Sequence, residues 1–515
     1  MRIFRTYGTT FVLFFSFSIF FSIPTKCDDI KSTIRSVDVF KTKVWGPGLN
    51  PEKIVLPVRY FYIQAYDAYG KSFNTSTAQR FDVNIRGESS AGKCRVRIEQ
   101  FDRRDGVYIV RYKIVGVCWN VEIHIQYKNK HVANSPYRIP DKDVYSDKCR
   151  CPQEIDKWLK NLNCDTSYEQ IESDLKPFKR VNFTELRPKI LRTYDKPGSI
   201  SICNFIIKDN QIYRKCYGQH TGFKMFEDAL LKTLVRLVRL PDMEFMVNLG
   251  DWPLVKKGGI TRTHGPLPIF SWCGSEDTYD IVMPTYDLTE STLQAMDRVS
   301  IDILSVQNAQ ISWSEKQSIA FWRGRDARRE RLDLIDISRK YPHLFNVSLT
   351  NFFFFRDEEA KYGPKTAHVS FFEFFNYKYQ LNIDGTVAAY RFPYLLAGNS
   401  VTFKQQSTFY EHFYNELQPM YHFIPVKRDL SNLVDQINWA RKNDDSARKI
   451  SRQAQNFVNE RLTPDKILCY HVNLLKEWSG RLVDSIQIQP DMERLDEEDN
   501  ECDCIVNVKT PRDEL

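Results

Sequence analysis

The rhythm of this chain changes near residue 140, and that change limits its fold more than any other feature. Before it, Arg59 to Tyr66, Phe81 to Ile85, Cys94 to Gln100, Val107 to Ile114 and Val121 to Tyr127 are β-branched or aromatic runs. Turn signals such as Asp67-Ala68-Tyr69-Gly70 and Asp102-Arg103-Arg104-Asp105-Gly106 divide them, which is the spacing of an all-β sandwich. After about Leu175, helical and strand patterns alternate, the signature of an α/β unit. Phe226, Ala229, Leu230, Leu234, Leu237 and Val238 recur at helical spacing before Pro241, and Met243 to Leu249 reads as a buried strand. Ser318 to Trp322 is expected to be a strand leading into Arg323-Gly324-Arg325 and a helix. Tyr377 to Ile383 is expected to lead into Asp384-Gly385-Thr386 and another helix. Between the two regions, residues 141–175 carry Cys149, Cys151 and Cys164 and read as a disulfide-pinned connector.

The chain's ends locate its chemistry. Arg2 and Arg5 precede an apolar run from Phe11 to Ile23, the layout of a secretory leader over residues 1–23. That run falls short of the roughly 20 apolar residues that span a bilayer, so no membrane insertion is expected. The last residues, Arg512, Asp513, Glu514 and Leu515, read as a variant of the ER-retention signal. Together they predict residence in the endoplasmic reticulum lumen, with a KDEL-type retrieval receptor as a partner. Twelve cysteines in that oxidising compartment are expected to pair, although Cys27 lies near the leader's cleavage point. Asn74, Asn182 and Asn346 begin N-x-S/T sequons expected in exposed loops. Residues 491–503 are dominated by Asp and Glu and read as a solvated tether for the signal.

A content of 42% hydrophobic and 14% aromatic residues fills real cores and excludes disorder as the theme. The net charge of +8 comes from acidic and basic residues interspersed along the chain, which argues for a solvated surface and against a nucleic-acid partner.

Ligands of open α/β sheets bind beyond the carboxyl ends of strands, so three strand exits are candidate site loops. Asp251, in Asn248-Leu249-Gly250-Asp251-Trp252-Pro253, can be held in a partly dry pocket where its pKa rises towards general-base work; a turn or N-cap aspartate is the alternative. Arginines cluster from Arg323 to Arg331, where Arg323 with Arg331 is the better phosphate pair and Arg328 and Arg329 read as surface residues. The third exit, from Asp384 to Arg391, combines a glycine and small residues with an arginine one helical turn on. It suits a diphosphate, or equally tight helix–sheet packing. No metal-ligand spacing is present, so no metal is expected. Arginines and helix dipoles would then stabilise a departing nucleotide diphosphate, a metal-independent GT-B-like design.

The pieces Gly46-Pro47-Gly48-Leu49, Asp105-Gly106-Val107-Tyr108 and Ala133-Asn134-Ser135-Pro136-Tyr137 resemble a filamin-type immunoglobulin repeat, an arrangement that lets Cys94 and Cys118 pair. Beyond it, Pro268 to Gly274, Asp280 to Tyr286, Trp322 to Arg325, Asn351 to Phe355, Asn382 to Arg391 and Tyr410 to Tyr414 occur in the order found in ER-retained protein O-glucosyltransferases. Over nearly the whole mature chain it resembles these relatives of the Rumi-type enzyme. The resemblance implies a multidomain fold: a filamin-type Ig-like sandwich (24–140), the connector (141–175), an α/β GT-B-like glycosyltransferase with two Rossmann-like halves (176–485) and an acidic tail (486–515).

It also implies transfer of glucose from UDP-glucose to a serine of folded EGF-like repeats, such as those of Notch-type receptors, with inversion at the anomeric carbon. By position, Asp251 matches the catalytic base. Arg325 and Arg331 match UDP-sugar contacts, with Arg323 beside them, and Gly385, Thr386, Val387, Ala388, Ala389, Tyr390 and Arg391 match the diphosphate loop. Cys216, Tyr217, Gly218, Gln219 and His220 fall where the Rumi-type enzyme meets its acceptor, and Trp252 stands beside the base. Two departures from that enzyme are Arg325 in place of a small hydroxyl residue and Trp252-Pro253 in place of Tyr-Pro. The first bears on the donor sugar and the second on the acceptor pocket. UDP-xylose as donor and a non-catalytic ER protein that binds EGF-repeat clients are the competing readings.

Overall fold

A computed structural model describes residues 35–199, 201–258, 265–495 and 501–504. The expected leader and the tetrapeptide Arg512 to Leu515 lie outside the described residues.

The first region is a sandwich of two antiparallel sheets. One runs in the order β1 (Lys43–Trp45), β2 (Arg59–Gln64), β5 (Val107–Ile114), β4 (Val96–Asp102). The other is built on β3 (Asp82–Ser89) and β6 (Val117–Tyr127). Phe61, Ile63, Val110 and Tyr112 meet Val121, Ile123 and Ile125 between the sheets, and truncating Phe61 to Ala would cost roughly 3–5 kcal/mol. Cys94 and Cys118 form a disulfide, as the resemblance implied.

Strands β2 and β5 are buried along almost their whole length because both of their faces are covered. Tyr60, Tyr62 and Ile109, on the outer face, join the core of the α/β unit. The Tyr60 hydroxyl donates to Asp465 and that of Tyr62 to Asn459 Oδ1 at 3.0 Å.

The connector is pinned by Cys149–Cys502, Cys151–Cys504 and Cys164–Cys469. The acidic tail is therefore no free tether. Glu493–Arg494 adds a strand beside Gln211–Tyr217, and two disulfides fix the chain again at Cys502 and Cys504. Two sequons also depart from the expected exposed loops. Asn74 is exposed, but the Asn182 side chain caps a helix, and Asn346 lies in a strand with Nδ2 donating to the Tyr377 hydroxyl at 2.8 Å.

The α/β unit has two halves. In the first, β7 (Ile202–Lys208), β8 (Gln211–Tyr217), β9 (Met243–Asn248), β10 (Phe270–Ser271) and β11 (Ile281–Val282) form one sheet in the order β11-β10-β9-β7-β8. Strand β9 is buried at every position. Helix α1 (Lys224–Leu237) precedes it and α2 (Tyr286–Leu293) follows β11. In the second half, β12 (Gln317–Arg325), β13 (Phe345–Asn351), β14 (Tyr377–Asn382), β15 (Val401–Gln405) and β16 (Ile424–Val426) are all parallel, in the order β13-β12-β14-β15-β16. Helix α3 (Arg329–Lys340) links β12 to β13, and α4 (Phe392–Ala397) precedes β15. The order reverses between β12 and β14, so their carboxyl ends bracket the switch point where ligands of such sheets bind.

Helix α5 (Asp444–Arg461) packs on the second half through Ala454, Phe457 and Val458. Helix α6 (Pro464–Ser479) returns to the first half, burying Leu468, Val472, Leu475 and Trp478. The two Rossmann-like halves are thus joined twice and enclose a cleft.

Candidate active site

A cavity of about 950 Å³ lies between the halves, lined by Asp251, Tyr286 and Asp287 on one side and by Arg323, Arg325 and Gly385 to Arg391 on the other. Its size is that of a site for a substantial small molecule.

Asp251 sits just past the end of β9 in a turn that its neighbours fix. Asn248 Oδ1 accepts from the Gly250 amide at 2.8 Å, and Asn248 Nδ2 donates to the Trp252 carbonyl at 2.7 Å. Asp280 accepts from the amides of Leu254 and Val255, both at 2.8 Å, and from Ser271. The Cys273 thiol donates to the Asp251 carbonyl at 3.3 Å. The Asp251 carboxylate itself is left free: Oδ1 is buried and has no hydrogen-bond partner among the described residues. Burial pushes its pKa up, and the opposing guanidinium of Arg325 pulls it back part of the way. A raised, unpartnered carboxylate at a cleft wall is suited to accepting a proton.

Arg325 is exposed at the cleft and lies over the ring of Phe353, 5.8 Å from its centroid. The loop carrying that ring is held by the buried Asp326 carboxylate, which accepts from the amides of Phe353, Phe354 and Phe355 at 2.7–2.9 Å.

The two arginines of the expected phosphate pair, Arg323 and Arg331, both line the cavity and both hold protein partners. Arg323 lies within β12, not beyond it. Its Nη1 donates to the carbonyls of Trp322 and Asn346, both at 2.9 Å, and its Nη2 to Asn346 Oδ1 at 2.7 Å. Arg331 is 4% exposed, and its three donor nitrogens bind the carbonyls of Asp384 (2.7 Å), Arg325 (2.9 Å) and Ile383 (3.0 Å). Burial holds its pKa down to about 9. This guanidinium clamps two strand exits together at the wall of the cavity.

The third exit also differs from expectation. Residues 383–391 are an irregular loop, and α4 starts only at Phe392, so Arg391 stands at the N-cap instead of one helical turn in. Gly385 donates to the Val387 carbonyl at 2.9 Å and passes close to Arg331, where an added Cβ would come within 3.1 Å of Nη2. Val387, Ala388 and Ala389 are buried, and with Thr386 they line the cleft. Arg391 donates through Nη1 to the Arg323 carbonyl at 2.6 Å, and its other nitrogens make no hydrogen bond to protein among the described residues. Successive amides ahead of a helix, with a cation beside them, form a cradle for an anion.

Tyr390 stands edge-on to Tyr286, 5.7 Å between centroids, and joins the loop to the first half. Tyr286 in turn stacks on Phe223 at 5.1 Å. Tyr390 belongs to the expected diphosphate loop, whereas Tyr286, Asp287 and Asp326 are contributions that the sequence reading had not assigned. Tyr286 closes the Asp280 to Tyr286 motif, and Asp287 and Asp326 directly follow that motif and Trp322 to Arg325.

The expected acceptor residues lie on the first half. Cys216 is bonded to Cys203 and fixes the end of β8. Gly218 has φ 92°, and a side chain there would strike Ser201, whose Oγ accepts from the His220 amide at 2.7 Å. Gln219 and His220 are exposed, Tyr217 is half-buried, and Trp252 is 47% exposed beside the base.

This cleft between Rossmann-like halves, with a free carboxylate facing a loop that carries a cation, is the arrangement of a group-transfer enzyme. Residues 159–512 match glycosyl transferase family 90 and residues 36–138 match the filamin/ABP280 repeat. The chain belongs to glycosyl transferase family 90 and is a glycosyltransferase carrying a filamin-type repeat in front of its catalytic unit. It is 46% identical over 479 residues to protein O-glucosyltransferase 2 of Danio rerio, covering 92% of this chain and 94% of that one. It is 41% identical over 483 residues to protein O-glucosyltransferase 3 of Homo sapiens, with the same coverage of 92% and 94%. Protein O-glucosyltransferase 1 of Homo sapiens is 31% identical over 332 residues, 62% of this chain and 80% of that one. No helix among the described residues is long and apolar enough to cross a membrane.

Proposed function

We propose that this enzyme transfers glucose from UDP-glucose to a serine hydroxyl of folded EGF-like repeats, such as those of Notch-type receptors, with inversion and without a metal ion. The observation that carries the reading is the free Asp251 carboxylate facing Arg325 and the 385–391 loop across one cleft. The names of the relatives support glucose as the sugar and protein as the acceptor.

The serine oxygen attacks C1 of the sugar while Asp251 takes its proton. The bond from C1 to the diphosphate breaks on the opposite face, and the charge that develops on UDP is met by Arg391 and the loop amides. Arg325, opposite the base, opposes the rise that burial causes and so favours the ionised carboxylate. Trp252, Gln219 and His220 present the surface that a rigid acceptor would meet. The retention tetrapeptide, the leader and the disulfides support work in the endoplasmic reticulum lumen, with a retrieval receptor returning the protein.

The test is mass spectrometry of a disulfide-bonded EGF-like repeat and of its reduced form, each incubated with enzyme and UDP-glucose or UDP-xylose. One hexose on a serine of the folded repeat is expected. A pentose from UDP-xylose in preference would change the donor, and equal modification of the reduced form would make the acceptor a linear motif.

A further inference from the structure

The segment from Ala295 to Asp302 faces the cleft on one side and the sandwich on the other. Arg298, Val299, Ser300 and Ile301 line the catalytic cavity. Arg298, Val299 and Ser300 also line a second cavity of about 550 Å³, walled opposite by Arg97, Glu99, Phe101 and Arg111 of β4 and β5. Helix α2 starts at Tyr286, beside Asp251, and has 8 residues. At about 1.5 Å per residue it carries the chain roughly 12 Å away, so the segment walls the end of the cleft remote from the base.

The segment has a conformation that its own residues do not favour. Met296 has φ 64°, in the left-handed region that costs a non-glycine residue and persists where surroundings enforce it. The amides of Asp297 and Val299 close the turn on the Gln294 carbonyl, both at 3.1 Å, and the sandwich adds side-chain pairs that anchor it. Lys113 Nζ pairs with Asp297, and Arg111 Nη1 pairs with Asp302, both members of the second pair having side chains 4% exposed. Arg111 also donates to Glu99 Oε2 through Nε at 2.9 Å and Nη2 at 2.6 Å, and its guanidinium lies 4.8 Å from the Phe101 centroid. The other oxygen of Asp302 accepts from the amides of Leu304 (2.9 Å) and Ser305 (3.1 Å), so one carboxylate ties sandwich, segment and following helix together.

We propose that the sandwich sets the donor affinity of the cleft, with Arg111 and Lys113 as positioning residues that hold the Arg298–Ile301 wall against the nucleotide part of the sugar nucleotide. The inference rests on the reading of the cleft as a UDP-sugar site. With the sugar at Asp251 and the diphosphate at Arg391, the nucleoside extends away from the base. The wall there combines the apolar Val299, Ile301 and Phe371 with the Ser300 hydroxyl, a surface suited to a base and a ribose.

The test is UDP calorimetry and steady-state kinetics on the full chain. Arg111→Met and Lys113→Met are each expected to raise the UDP Kd and the UDP-glucose KM by about tenfold with kcat within about twofold, since small misplacements of a binding wall carry large effects. Arg111→Lys should restore part of the affinity. Tyr62→Phe loses a contact elsewhere on the same interface and should bind UDP as wild type does. Should Arg111→Met not fold, Lys113→Met carries the test alone, because its closer partner Asp297 is 38% exposed and its other partner, Asp147, stands 3.8 Å away. Unchanged UDP affinity in a folded Lys113→Met overturns the proposal, and so does equal weakening by Tyr62→Phe. A wild-type protein that binds no UDP would overturn the reading of the cleft, and this inference with it.

Discussion

Arg391 donates through Nη1 to the carbonyl oxygen of Arg323, 2.6 Å away, and so ties the loop after β14 to the strand beside it. That bond aims the rest of the guanidinium at the cleft, while burial lowers its pKa only to about 10, leaving it charged at neutral pH. The neighbouring Arg331 is more tightly engaged, since each of its three nitrogens donates to a carbonyl.

The two arginines should therefore separate in experiment. Arg391→Ala is expected to weaken UDP binding by a charge-assisted contact, about 1.5–3 kcal/mol, with little change in melting temperature. Arg331→Ala strands three carbonyls and should lower the melting temperature more than any other substitution named here. Calorimetry and thermal melts on both variants check this, and an Arg391→Ala variant that binds UDP normally would remove Arg391 from the site.

Asp251→Asn removes proton acceptance with almost no change in shape, so transfer should fall by about 10²–10⁴ while UDP binding persists. The carboxylate must be ionised to work, so activity is lost as pH falls through its pKa. Burial places that acid limb above the usual aspartate value of about 3.9. Arg325→Met deletes the cation that holds it down and should move the limb to higher pH. A pH–rate profile of the Met variant superimposable on wild type would exclude this coupling.

Glu411 is buried below the 385–391 loop, with the Tyr414 hydroxyl donating to Oε1 at 3.0 Å and Oε2 without a partner among the described residues. Burial raises its pKa from 4.5 to about 8. Below pH 4.5 the carboxyl holds its proton in the folded and unfolded states alike. As pH rises from there to about 8, only the unfolded carboxyl ionises, so its contribution to stability declines across that window. Glu411→Gln should flatten the decline, measured as melting temperature against pH from 5 to 8, and parallel curves for variant and wild type would refute the assignment.

Activity is expected to persist in EDTA, because Arg391 and the loop amides supply the positive charge that the leaving diphosphate needs. Transfer assays with EDTA and with added Mn²⁺ check this. Loss restored by Mn²⁺ would require a metal.

The sandwich, the α/β alternation and Asp251 were legible in the sequence because they depend on local pattern: β-branched runs, helical spacing and a carboxylate at a strand exit. The roles of the arginines were not. Arg323-Gly324-Arg325 has the composition of a loop, yet β12 lies between β13 and β14, and the pairing to β13 carries the strand on through Arg325. Arg331 depends on carbonyls at positions 383 and 384, more than fifty residues away, which no local pattern records. Disulfide pairing was equally closed to inspection, since the partners of Cys149 and Cys151 lie 353 residues along the chain.

Those distant partners impose an order on biosynthesis. The sandwich closes its own disulfide over a separation of 24 residues, so it can mature while the rest of the chain is still being synthesised. Cys164, Cys149 and Cys151 must wait for Cys469, Cys502 and Cys504, which are translated last. Until then their thiols stay open to wrong partners and to oxidoreductases, so a ribosome that stops before Cys502 releases a chain with a sealed sandwich and an unsutured catalytic unit.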